Sequence, residues 1–114
     1  MPTYQEADNI VNVLSRVAQV RDSLSNFELN AVIVDSVSPD NTRKIAEEFI
    51  QENKLDDCFH VVTEERRGLG QAYDTGFGYA LDQGANVLIQ MDSDSSHDPA
   101  VIPLLLNAIE NGAD

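Results

Sequence analysis

The chain has 114 residues, with 20 acids against 7 bases and a formal net charge of −13. That length holds one domain with a modest core, and that charge argues against an electrostatic grip on nucleic acid or on an anionic membrane surface. The single Cys58 excludes an internal disulfide and disfavours a zinc cluster; a small buried hydrophobe is its expected role.

From Glu6 to about Leu24, apolar residues at Ile10, Val11, Val13, Leu14, Val17, Ala18 and Val20 follow helical spacing. Leu29 to Asp35 is an apolar run rich in β-branched residues, which predicts a buried strand ending in an acid. Ser38 to Thr42 reads as a turn, with Ser38 or Asn41 as helix cap. Arg43 to about Asn53 puts Ile45, Ala46, Phe49 and Ile50 on one helical face, and Phe59 to Thr63 is a short strand.

A charged loop, Glu64 to Gly70, leads into a helix that runs to about Gln83, with Ala72, Tyr73, Phe77, Ala80 and Leu81 as its core face. Gly84 is its expected C-cap. Asn86 to Met91 is a third predicted strand. Val101 to Glu110 is a last helix, buried through Ile102, Leu105, Leu106 and Ile109. Strands alternating with helices predict βαβ units and a parallel sheet with helices on both faces. Right-handed crossovers then bring Asp35, Thr63 and Asp92 to one edge.

The third strand runs straight into Asp92-Ser93-Asp94-Ser95-Ser96-His97-Asp98-Pro99. Asp92 and Asp94 are two apart, so on an extended chain their carboxylates point the same way. Such a pair is relieved by a cation, and Mg2+ or Mn2+ completes its shell with phosphate oxygens. Asp92 and Asp94 are thus candidate ligands of a metal–diphosphate site. The same residue types also make turns and helix caps, and a solvated loop accounts for them equally well. Asp98, just before Pro99, fits the capping role. His97 is a further candidate ligand, although a loop hydrogen bond suits it better; His60 reads as structural. Pro2 to Glu6 is turn chemistry with no strand before it, and a further strand would be expected after Gly112. The expectation is a piece of a longer protein.

Four segments carry a family resemblance. P-T-Y-Q-E-A-D-N-I at Pro2–Ile10 resembles the P-T-Y-N-E-x-x-N-I opening of family 2 glycosyltransferases. V-D-S-V-S-P-D-N-T at Val34–Thr42 is similar to that family's V-D-D-G-S-P-D-G-T, with Ser36 for the second Asp, Val37 for Gly and Asn41 for Gly. R-R-G-L-G-Q-A-Y, followed by Gly76-Phe77, resembles its loop and helix. M-D-S-D-S-S-H-D-P with Ile102-Pro103 resembles M-D-A-D-L-S-H-D-P-x-x-I-P of the dolichol- and polyprenol-phosphate mannosyltransferase branch.

The resemblance implies an α/β fold: a GT-A, Rossmann-like parallel sheet over residues 1–114, lacking its first strand and C-terminal half. It implies transfer of mannose from GDP-mannose to a polyprenyl or dolichyl phosphate, in the cytoplasm or at the cytoplasmic face of a membrane. The acceptor and any membrane segment would engage parts outside these residues. Carried over by motif, Pro2, Tyr4, Glu6, Asp35, Asp92, Ser93 and Asp94 would bind the nucleotide sugar, and Asp92, Asp94 and Ser96 would hold Mg2+ or Mn2+. Tyr4 could stack on the base or simply fill the core. Arg66 and Arg67 are candidates to neutralise a phosphate, against the simpler role of a solvated loop. Ser36 removes a carboxylate from the nucleotide edge, which leaves a non-catalytic nucleotide-sugar binder as the alternative.

Rival readings fit less of the chain. A calcium loop would need Gly at His97 and Glu at Pro103. An aspartyl-nucleophile phosphatase would also put D-x-D after a strand, but leaves the first two motifs unexplained. Gly68-x-Gly70 lacks the third glycine of a dinucleotide fingerprint.

Overall fold

The structure is a computed structural model and describes residues 1–65, 69–92 and 97–112. Its elements are β1 (Pro2–Thr3), α1 (Ile10–Ser23), β2 (Ala31–Asp35), α2 (Thr42–Glu52), β3 (Phe59–Thr63), α3 (Leu69–Asp82), a 3-10 turn at Pro99–Val101 and α4 (Ile102–Glu110). The three strands form one parallel sheet in the order β1-β2-β3. Asp35 stands opposite Thr3 on one side and Thr63 on the other, so the C-terminal ends of the strands share one edge.

Helices cover both faces, as the alternation of elements predicts. Successive strand residues point to opposite faces. Ala31 and Ile33 of β2 enter a core with Ile10, Val13, Leu14 and Val17 of α1, Ala46 and Ile50 of α2, and Ile102 and Leu106 of α4. Val34 points the other way, toward Gly76 of α3. Cys58 is 4% exposed and belongs to the core, in its expected role.

The ends of elements differ from expectation for local reasons. Pro2 and Thr3 form a strand rather than a turn, because Val34 N–H donates to Met1 O and Ser36 N–H to Thr3 O. α1 begins at Ile10, not Glu6. Glu6 N–H donates to Thr42 Oγ1 and Ala7 N–H to Asp40 Oδ2, so the first amides are tied to another loop. Gly84, at φ 89°, closes α3 as predicted, with Ala85 N–H returning to Ala80 O. On α4, Ile102 and Leu106 are buried, whereas Leu105 faces outward; on α3 the expected core residue Leu81 is exposed.

The predicted strand over 86–91 does not form a ladder among the described residues. Its alternation survives: Val87, Ile89 and Met91 pack on the core, while Leu88 and Gln90 are exposed. Among the described residues, no helix is long and apolar enough to cross a membrane.

Candidate functional site

The C-terminal edge of the sheet is built from two interlaced loops, 3–9 and 35–42. Asp35 is the knot. It is 1% exposed; Oδ1 accepts from Thr3 Oγ1 at 2.8 Å and Ser38 Oγ at 2.6 Å, and Oδ2 accepts from Ser38 N–H at 3.0 Å. Three donors on one buried carboxylate satisfy the charge that burial would otherwise penalise. Ser38 Oγ in turn accepts from Gln5 N–H at 3.0 Å. The Ser38 expected as a helix cap therefore ties loop to loop instead.

Asp40 is the second knot. Its Oδ2 accepts from Ala7 N–H at 3.2 Å, and its Oδ1 accepts from Thr42 N–H at 3.2 Å and from the Thr42 hydroxyl. The Thr42 hydroxyl above all, aided by these amides, holds the Asp40 carboxyl below its ordinary value. Asp40 thus takes over the capping expected of Asn41, which makes no side-chain cap bond and sits at φ 66°. Asn tolerates that left-handed backbone; Val37, at φ 52°, is a β-branched residue in the same region. Pro2, Tyr4 and Glu6 all lie on this edge, Pro2 and Tyr4 half-buried, with Glu6 Oε2 accepting from Asn9 Nδ2.

Asp92 ends the segment that carries Val87, Ile89 and Met91, which pack on the core. Its Oδ1 accepts from Tyr73 Oη of α3 at 2.7 Å. Its N–H donates to His97 Nδ1 at 2.9 Å, which leaves the ring proton on Nε2, 4.0 Å from Asp92 Oδ2. The Asp92 side chain remains 34% exposed. His97 is therefore a loop-bracing residue in this arrangement. Asp98 caps the following turn, accepting from Ala100 N–H at 2.9 Å, and pairs with Arg16 of α1 at 2.5 Å. The candidate ligands Ser93, Asp94 and Ser96, and the candidate phosphate partners Arg66 and Arg67, lie outside the described residues.

The donor chemistry at Asp92 fits a hard cation, since it presents a partly exposed carboxylate with Oδ2 turned away from Tyr73. Among the described residues no cluster of three His, Cys, Asp or Glu side chains could hold a metal. Sequence reasoning missed Thr3, Asp40, Thr42 and Tyr73 as parts of the site. Their only signal was polar residue type inside the resembling segments.

A parallel α/β sheet with an acid-bearing loop outside its strand ends defines a ligand-binding α/β domain. The model of glycosyl transferase family 2 matches residues 1–114, and the chain belongs to that family. It is 36% identical over 115 residues to the polyprenol monophosphomannose synthase of Mycolicibacterium smegmatis, covering 100% of this chain and 41% of that protein. It is 37% identical over 109 residues to the undecaprenyl-phosphate mannosyltransferase of Micrococcus luteus, covering 96% and 42%. To the dolichol-phosphate mannosyltransferase of Pyrococcus furiosus it is 35% identical over 114 residues, covering 100% and 30%. The chain therefore spans less than half the length of these curated relatives.

Proposed function

We propose that this chain is the nucleotide-sugar-binding part of a longer enzyme that transfers mannose from GDP-mannose to a polyprenyl or dolichyl phosphate. The observation that carries this reading is the sheet edge: the loops knotted by Asp35 and Asp40 lie at the C-terminal ends of β1 and β2 in one parallel sheet, and Asp92 is braced by Tyr73 of α3, the helix that packs on β2. Relatives whose names specify mannose and a polyprenyl-type phosphate support the choice of sugar and acceptor.

In this reading Pro2, Tyr4 and Glu6 line the base and ribose pocket, and Asp35 supports it from beneath. Asp92, Ser93 and Asp94 would bind the diphosphate; Asp92, Asp94 and Ser96 would hold Mg2+ or Mn2+. A bound divalent ion supplies charge neutralisation for a departing nucleoside diphosphate. The chain's own contribution is positional: Tyr73 and His97 fix Asp92, and the two knots fix the loops under the nucleotide. A reading as a binder without transfer rests on Ser36, which stands where the resembling pattern has a carboxylate.

Calorimetry of this chain with GDP-mannose, with and without Mn2+, tests the reading. Binding that strengthens with Mn2+ is expected; no nucleotide binding under either condition rejects it. Assay of radiolabelled GDP-mannose with polyprenyl phosphate separates the alternatives. Turnover in the longer protein and none in the 114-residue chain is the expected pair, whereas turnover by neither favours the binder.

A further inference from the structure

A further carboxylate stands at the sheet edge. Glu64 follows the last residue of β3. Its Oε2 accepts from the Thr75 hydroxyl of α3, while its Oε1 is buried and has no hydrogen-bond partner among the described residues. Buried polar groups are nearly always satisfied, and a carboxylate oxygen left without a donor points to a donor that arrives from outside.

Its position says where that donor would come from. Glu64 N–H donates to Asp35 O at 3.0 Å, continuing the register in which Asp35 stands opposite Thr63. One step further along, Ser36 and Glu64 are neighbours. Thr63 faces α2, where its hydroxyl accepts from Arg43 at 2.6 Å, so alternation turns Glu64 to the other face, under α3. Ser36 falls on that face by the same alternation, opposite to Asp35. Ser36 is also the position at which this chain lacks the second acid of the V-D-D pattern that its V-D-S resembles.

We propose that Glu64 supplies, from the end of β3, the nucleotide-facing carboxylate that this chain lacks at Ser36 beyond β2, with Thr75 as the positioning residue that engages Oε2 and leaves Oε1 for a donor of the ligand. This rests on the nucleotide-sugar reading above. The ligand must bring a hydrogen-bond donor: an N–H on the edge of the base or a hydroxyl of the ribose. Guanine offers two adjacent N–H groups, and a carboxylate accepts both because Oε2 keeps a lone pair beyond the one Thr75 uses.

The test is calorimetry of the 114-residue chain with GDP, 2′-deoxy-GDP and UDP in Mn2+, using wild type, E64A, E64Q and E64A/S36D, each checked for native circular dichroism and melting. E64A is expected to lose about tenfold or more in GDP affinity, since a hydrogen bond to a charged group is removed. E64Q, which keeps shape but loses charge, should lose part of that. E64A/S36D should regain affinity, which a merely structural role for Glu64 would not produce. If Glu64 reads the base, wild type prefers GDP to UDP and binds 2′-deoxy-GDP as it binds GDP. If it reads the ribose, 2′-deoxy-GDP is the weak ligand and E64A removes the difference. GDP affinity unchanged in both E64A and E64Q overturns the proposal while leaving the nucleotide reading intact; wild type that binds no nucleotide rejects both.

Discussion

Tyr73 Oη donates to Asp92 Oδ1 at 2.7 Å, so the acid that ends the 87–91 segment is held by a helix on the sheet's other flank. The tyrosine ring is itself packed on Phe77, one turn along α3, with ring centroids 6.1 Å apart. Tyr73→Phe keeps that packing and removes the hydroxyl that donates to Asp92. It should shift folding stability by about 1 kcal/mol or less. Mn2+-dependent GDP binding should weaken by about three- to tenfold, because Asp92 must then be ordered by the ligand. Paired urea melts and calorimetry check both halves; equal GDP affinity in Tyr73→Phe would mean that Asp92 needs no brace.

That bond illustrates what the sequence could and could not say. β2 and β3 are legible because Ala31–Asp35 and Phe59–Thr63 are short runs rich in β-branched residues, β2 buried on both faces and β3 largely half-buried, and a run of that kind has few other uses. The acid that ends the first of these runs, Asp35, was legible for the same reason. β1 was hidden because two residues have no period and Pro2 is ordinary turn chemistry. The lacing of the edge was hidden too. Bonds such as Gln5 to Ser38, or Ala7 to Asp40, join residues 33 apart, and no local pattern encodes them. At 86–91 the alternation told correctly which side chains face the core, but a ladder also depends on a pairing partner, which side-chain alternation does not encode.

Val37 is 59% exposed and adopts φ 52°. A side chain branched at Cβ is strained there, and little burial offsets the strain. The resembling pattern has Gly at this position. Val37→Gly should therefore stabilise the chain by about 1 kcal/mol, after allowing for the greater freedom of Gly in the unfolded state. Thermal or urea denaturation reads this directly. A loss of stability would show that Val37 makes a contact worth more than its strain.

Asp40 gives the edge a pH dependence. The Thr42 hydroxyl, then the Ala7 and Thr42 amides, stabilise its ionised form, so its folded pKa lies below the ordinary 3.8. A depressed acid contributes stability that is present above the unfolded value and is lost as pH falls through the folded one. Asp40→Asn should therefore be less stable than wild type at pH 7, and the gap should close as pH drops below about 4. Urea melts at pH 7, 5 and 3 test this. A gap that stays constant across that range would assign the loss to shape rather than charge.

Gly76 sets how closely α3 lies on the sheet. A Cβ at this position would stand 3.2 Å from Val34 Cγ2, and Val34 is fully buried in β2. Gly76→Ala gains about 1 kcal/mol of helix propensity. It also asks Val34 to yield a few tenths of an ångström, so the two effects should nearly cancel. Gly76→Leu cannot be accommodated that way and should destabilise by about 2 kcal/mol through overpacking. Because α3 carries both Tyr73 and Thr75, lifting it should also loosen the grips on Asp92 and Glu64. GDP binding should then fall in Gly76→Leu even at temperatures where the variant is fully folded. Adding Val34→Ala makes room and should restore part of both losses. If Gly76→Leu binds GDP as wild type does, α3 is not the element that positions the two carboxylates.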